Sequence, residues 1–339
     1  MGTVLAARGL SPVRTYFRSM PEPTLTELEP GIVRVTMPLP WALDHVHCYA
    51  LAAPDGWTLV DAGLGSRRTL AWWEQVIDAL GSPVVTRLVL THYHPDHLGA
   101  SAGLARLTGA REIVQGRLDR ALSVAGWEEG DDAEFERYLR DHGMPADLAA
   151  ASTRAEIGTA VELAVPTRLV DEGDLVHAGG RRWRVLHLPG HADGHIALHD
   201  EAGGRLLGGD VLLDEITPNV GRWPDTGPDP LGRYLATLRR VAGLAPAVVY
   251  PGHGPVIRAA ARRAAEIAEH HDERLDVAAG ALAEGAESAF EAAQLIWKDE
   301  PLGFHEQRFA LVEAISHLER LAATGRAVEH RPGRWRPAG

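Results

Sequence analysis

The chain has 339 residues, 45% of them hydrophobic and 24% charged, enough for a large core, and no run approaches the ~18 uninterrupted apolar residues that a membrane span requires. Its formal net charge of −12 would repel a polyanion, so nucleic acid and anionic membrane are disfavoured as partners and a small-molecule substrate fits better. A single cysteine, Cys48, excludes an internal disulfide, and without an apolar signal core the chain reads as cytoplasmic.

The first twenty residues carry Arg8, Arg14 and Arg18 and no acid, a pattern shared by organellar transit segments and by disordered or strand-pairing arms, and the arm is the simpler reading. From residue 31 to 63, Pro and Gly turns separate short apolar runs that predict strands, the last from Trp57 to Val60 and ending at Asp61. The period then changes. Ser66 is placed to cap a helix whose Leu70, Trp73, Val76, Ile77 and Leu80 share one face, with Gly81 just past its end. Val84 to Leu90 predicts a strand, and His97 to Leu107 a helix.

Residues 117 to 163 read as an inserted helical subdomain. The segment holds eleven Asp or Glu against five Arg, a net of −6, and shows no strand signal. Because it lies between His97 and His191, its ends must return to one edge of the sheet, and a lid is expected. Strands resume at Thr167–Val170, Arg182–Leu188, His195–Leu198, Arg205–Leu207 and Ala247–Tyr250. Alternation of strand and helix predicts an α/β layered domain over residues 1–257. After residue 257 strands give way to helices near 258–283 and from Ser288, where Glu291 completes a capping-box spacing. A third helix carries Phe309, Leu311, Val312, Ile315, Leu318 and Leu321. A turn at Pro332 and Gly333 then predicts a hairpin, so residues 258–339 read as a winged-helix-like domain.

The chemistry concentrates in "THYHPDH". His92, His94, Asp96 and His97 place imidazole nitrogens and carboxylate oxygens, the donors that suit zinc, iron or manganese, on one loop at the end of a strand. His92 and His94 project the same way from extended backbone, while Asp96 and His97 lie beyond the Pro95 bend and face a neighbouring position, so the four serve two ions better than one. Three more candidates repeat the context of a strand running into a Gly-containing turn: His191 in "LPGHADGH", Asp210 in "LLGGD" and His253 in "VVYPGHG". Open α/β sheets gather their sites along such an edge.

With these residues the sequence resembles the metallo-β-lactamase fold superfamily of metallohydrolases over roughly residues 30 to 257, and the C-terminal part resembles a branch carrying a winged-helix domain. The resemblance implies a four-layer αββα sandwich. It also implies that His92, His94 and His191 bind a first metal, that Asp96, His97 and His253 bind a second, and that Asp210 bridges them. Asp61, in "DAG", is the implied outer carboxylate. Two divalent ions ~3.5–4 Å apart, zinc by preference with iron or manganese as alternatives, lower the pKa of a bridging water from ~15.7 toward ~7. The expected activity is hydrolysis of a small ester, thioester or lactone by a metal-bridged hydroxide, with Asp96 or Asp210 collecting the proton. Flavodiiron relatives carry a carboxylate where this chain has His94, which favours hydrolysis. The alternatives are a phosphodiesterase or endoribonuclease of the same fold and, further off, a mononuclear iron persulfide dioxygenase.

The remaining candidates are weaker. His195 reads as structural or as an outer partner, and Tyr93 as packing away from the ligands beside it. His45 and His47 compete between pocket lining and structure, His270 and His271 read as solvated or capping, and Cys48 as a buried apolar residue. The acidic third C-terminal helix does not suit phosphate recognition, so the C-terminal module reads as packing or as a homodimer contact.

Overall fold

A computed structural model describes residues 20–156, 161–299 and 302–339. The expected N-terminal arm, with Arg8, Arg14 and Arg18, lies outside the described residues.

The first sheet has seven strands in chain order: β1 (Thr24–Glu29), β2 (Ile32–Pro38), β3 (His45–Leu51), β4 (Trp57–Val60), β5 (Val85–Leu90), β6 (Glu112–Gly116) and β7 (Arg168–Val170). β1 to β4 pair antiparallel, and β4 to β7 pair parallel. The second sheet holds β8 (Leu175–Ala178), β9 (Arg181–His187), β10 (Ile196–Asp200), β11 (Arg205–Gly209) and β12 (Val248–Pro251) in the order β12-β11-β10-β9-β8. Only β11 and β12 run parallel in it.

Strand alternation builds the layers. In β3, Tyr49 and Leu51 face the space between the sheets, where Val60, Val89, Val185, Ile196, Leu198 and Tyr250 meet them. Val46, Cys48 and Ala50 turn to the opposite face. There they pack under α1 (Arg67–Ala79), α2 (Pro95–Leu98) and α3 (Ser101–Thr108) through Trp72, Trp73, Val76, Leu98 and Leu104. Cys48 is buried, and its thiol is pushed up by that burial. Ser66 caps α1, its hydroxyl accepting from Thr69 N–H at 3.0 Å, and Gly81 closes it at φ +85°.

The outer face of the second sheet is covered by α7 (Pro230–Leu244), α8 (Ala260–Ala283), α9 (Ala289–Ile296) and α10 (Phe304–Ala323), followed by the hairpin β13 (Ala327–Arg331) and β14 (Arg334–Pro337). The result is the four-layer α/β/β/α arrangement with C-terminal helices. The insert forms α4 (Arg117–Trp127), α5 (Asp132–Asp141) and α6 (Ala146–Glu156). One apolar core runs from Leu139, Met144 and Ala149 of the insert, through Leu186 and Ala197 of the second sheet, to Leu311, Leu318 and Trp335. Every residue of α10 from 310 to 318 is buried, so this helix is a core element and presents no recognition face there.

His271 departs from its expected place at solvent or a cap. It is fully buried, because Ile267, His271, Leu275 and Ala278 share the α8 face turned into this core. No helix among the described residues is long and apolar enough to cross a membrane.

Candidate metal centre

β5 ends at Leu90, and the next residues carry the ligand-type side chains. Pro95 at the first turn of α2 stops the extended backbone after His94, so Asp96 and His97 are delivered from a helical turn. His191 follows β9, Asp210 follows β11 and His253 follows β12. All seven candidate residues meet at one edge shared by the two sheets. Three groups have ligand atoms mutually within 4.8 Å: His92 with His94 and His191, His92 with His97 and Asp210, and Asp96 with His97 and His253.

The hydrogen bonds settle which ring nitrogens face inward. His191 Nδ1 donates to the Asn219 carbonyl at 2.8 Å, and His253 Nδ1 donates to the His45 carbonyl at 2.6 Å. A carbonyl accepts only, so each Nδ1 carries the proton, and in the neutral rings Nε2 keeps a lone pair. His97 Nδ1 is 2.9 Å from Asp61 Oδ2, which directs its Nε2 inward as well. His92 Nδ1 sits 3.0 Å from Thr91 Oγ1, and His92 Nε2 is 3.2 Å from His94 Nδ1.

The inward atoms lack aligned partners. His97 Nε2, His191 Nε2, His253 Nε2 and Asp210 Oδ1 are buried and make no hydrogen bond. Asp210 carboxylate oxygens stand 3.4 Å from His97 Nε2, 3.5 Å from His191 Nε2 and 3.2 Å from His253 Nε2, and Asp96 Oδ2 is 3.4 Å from His253 Nε2. Donors ~2.0–2.1 Å from a common ion in tetrahedral array are ~3.3 Å apart, so these separations fit coordination. Unsatisfied buried polar atoms are costly, and a cation removes the cost. The residues therefore fit divalent metal.

Charge distribution agrees. Burial lowers His92 well below the usual imidazole range, aided by His97 and His195, and burial with His191 lowers His94 to about 3. Burial alone would lower His97 and His253 too, but Asp210 and Asp96 outweigh it and push both up. Burial opposes the charge on Asp96 and Asp210, and His97 and His253 outweigh that and hold both carboxyls down. Two buried carboxylates thus stand among close imidazoles, a charge arrangement that a divalent cation would balance.

The supporting layer is equally specific. Asp61 has φ 61°, a left-handed conformation rare outside glycine, and accepts from Thr91 N–H and Thr91 Oγ1–H at 2.8 Å each as well as facing His97. His195 Nε2 accepts from Asp210 N–H at 3.1 Å, and its ring stacks on His92 at 4.6 Å, so it props the ligands. A Cβ on Gly252 would lie 2.2 Å from Asp210 Oδ1 and 2.7 Å from His97 Cε1, which reserves that position for glycine. His47 bonds Thr36 Oγ1 and donates toward the Gly254 carbonyl, and His45 Nε2 accepts from Gly254 N–H, so both histidines brace the His253 turn.

Sequence reasoning missed Asn219 and the His45 carbonyl. Backbone acceptors carry no residue-type signal, so nothing in the letters marks them.

The insert is tied to the loop that carries His92 and His94. Trp127, the last residue of α4, donates its Nε1–H to the Tyr93 carbonyl at 2.8 Å, pinning the insert to the ligand loop. Phe135 stacks on Trp223 at 6.0 Å, and Trp223 meets Phe309 edge-on at 5.7 Å, so α5, the loop after β11 and α10 share an aromatic wall.

Residues 41–253 match the family model described as the metallo-beta-lactamase superfamily. Among solved structures, the metallo-beta-lactamase family protein TTHA1429 from Thermus thermophilus superposes with a TM-score of 0.81 at 33% identity, covering 92% of this chain and 100% of that one. The Bacillus subtilis (strain 168) protein described as "Probable metallo-hydrolase YqjP" is 27% identical over 305 residues, 86% of this chain and 92% of its own. The Homo sapiens acyl-coenzyme A thioesterase MBLAC2 is 30% identical over 165 residues, 46% of this chain and 54% of its own. With its matched span, its layer order and a His/Asp cluster suited to divalent ions, this chain belongs to the metallo-β-lactamase superfamily.

Proposed function

We propose that the chain is a dinuclear-metal hydrolase, with zinc the preferred ion, that cleaves a small acyl ester or thioester, lactones falling in the same class. The carrying observation is that the buried, unpartnered Nε2 atoms of His97, His191 and His253 lie 3.4, 3.5 and 3.2 Å from the Asp210 carboxylate. His92, His94 and His191 would hold one ion, Asp96, His97 and His253 the other, and Asp210 would contact both. Such ions supply a water of near-neutral pKa and polarise a carbonyl oxygen.

The chain's own groups do the rest. Asp61, Thr91, Asn219 and the His45 carbonyl orient the imidazoles. Asp96 and Asp210 are the carboxylates positioned to take the proton of an attacking water and return it to a leaving alkoxide or thiolate, Asp96 being the more exposed of the two side chains. The acyl preference is supported by the relative named as an acyl-coenzyme A thioesterase. The aromatic wall of Phe135, Trp223 and Phe309, with Phe309 39% exposed, supports it as an apolar surface joined to His191 through Asn219. The net −6 of the insert supports it against a phosphodiester polymer.

Metal analysis should be joined to a panel of an acyl thioester, p-nitrophenyl acetate, a homoserine lactone and bis-p-nitrophenyl phosphate. Preferred turnover of an acyl substrate with about two metals per chain is expected. Preference for the phosphate diester would overturn the reading.

A further inference from the structure

A second group of ligand-type side chains lies on the seam between α8 and α10, away from the cluster at the sheet edge. His271 and His317 are fully buried and Glu313 is 9% exposed. One ligand atom from each lies within 4.8 Å of the other two. Glu313 and His317 are four residues apart on α10 and so project side by side, and His271 reaches them from α8.

The orientation of each ring and carboxylate suits a cation. His317 Nδ1 donates to the Glu313 carbonyl at 2.8 Å, so its Nε2 holds a lone pair toward His271. A ligating imidazole usually donates its outer N–H to a carbonyl or carboxylate in this way. His317 Nε2 is 3.4 Å from His271 Nδ1. That is long against the ~2.7–3.2 Å of a good hydrogen bond, and close to the ~3.3 Å between two nitrogens on one zinc ion. The Glu313 carboxylate accepts from Asn219 Nδ2 at 2.6 Å, the outer contact that orients a ligating carboxylate. Burial holds His317 near 4 and His271 near 2, so neither ring gives up a proton to bind metal at neutral pH.

We propose that His271, Glu313 and His317 form a further binding site for a divalent first-row cation of the zinc class, pinning α8 to α10. Asn219 joins this site to the catalytic edge: its side chain holds Glu313 and its carbonyl takes the His191 Nδ1 proton. An ion at the seam therefore steadies the carbonyl that fixes a ligand of the other cluster. The site stands whether or not the hydrolase reading does, because none of its three residues belongs to that cluster.

The test strips the full-length chain with chelator, reloads it with zinc, and counts zinc per chain by mass spectrometry for wild type, Glu313→Gln and His317→Ala. Wild type is expected to carry about one ion more than either variant, and His94→Ala to keep the seam ion. Reading a difference separates this result from failure of the catalytic cluster to load. Equal zinc in wild type and both variants overturns the site. Should the variants not fold, crystals of zinc-loaded wild type decide it: an anomalous peak among His271, Glu313 and His317 is expected, and its absence leaves only an N–H···N contact and overturns the proposal.

Discussion

Asp61 shows how much one side chain does at this edge: a single carboxylate accepts from Thr91 twice, faces His97 Nδ1 and tolerates a left-handed backbone to do so. Asp61→Ala leaves the His97 ring without its anchor, and outer-shell losses of this kind typically cost ~10–100-fold in metal affinity. Competition with a chromophoric chelator should read a loss of that size, and unchanged affinity would remove Asp61 from the support. His94→Ala and Asp210→Ala should abolish turnover and lower metal content, and full activity in either would mean that the site lies elsewhere. Asp119 offers a pH test outside the ligands. It is fully buried, and burial, opposed by the Gln115 Nε2–H it accepts at 2.7 Å, pushes its carboxyl up to about 8. Between the ordinary carboxylate range and about 8 the folded chain keeps a proton that the unfolded chain has lost, so this group's contribution to stability falls as pH rises through that window and is fully lost above it. Asp119→Asn should flatten that decline in denaturant melts at pH 5 and pH 8.5. An unchanged slope would count against it.

At the scale of elements, the local signals that were legible are those with a short-range cause. The Ser66 cap, Gly81 and the Ser288/Glu291 capping box stand where the sequence puts them, because each satisfies backbone groups within four residues. Ser288→Ala removes the hydroxyl that accepts from Glu291 N–H and should cost ~1 kcal/mol in a urea melt, with a loss near zero showing that the cap is redundant. β1, β6 and β8 went unread. β6 carries only Ile113 and Val114 between polar neighbours, and it is a strand because β5 and β7 flank it in register. β8 exists as one arm of the hairpin with β9, closed by Gly179 and Gly180 at positive φ. α10 read as amphipathic, whereas residues 310 to 318 are buried on every side, since α6 of the insert together with α7, α8 and α9 covers the face that a lone helix would leave wet.

Over the whole molecule, one apolar core joins the insert, the second sheet and the C-terminal helices. A chain ending at residue 257 would expose Val220, Leu231, Leu238 and Val249 where α8 and α10 now lie, so it should be insoluble or molten on expression, and a folded, soluble fragment with a sharp near-UV spectrum would contradict this. The sequence by itself determined the chemistry: His92, His94, Asp96, His97, His191, Asp210 and His253 are metal-grade donors whatever surrounds them, and strands running into glycine turns mark where they end. Tertiary structure alone decided what orients them and what else is buried. The carbonyls of Asn219 and His45, the pinning of Trp127 to Tyr93, and the approach of His271 to Glu313 and His317 join residues far apart in the chain. Backbone acceptors have no letter of their own, and burial is a property of packing, so neither can be read until the layers close.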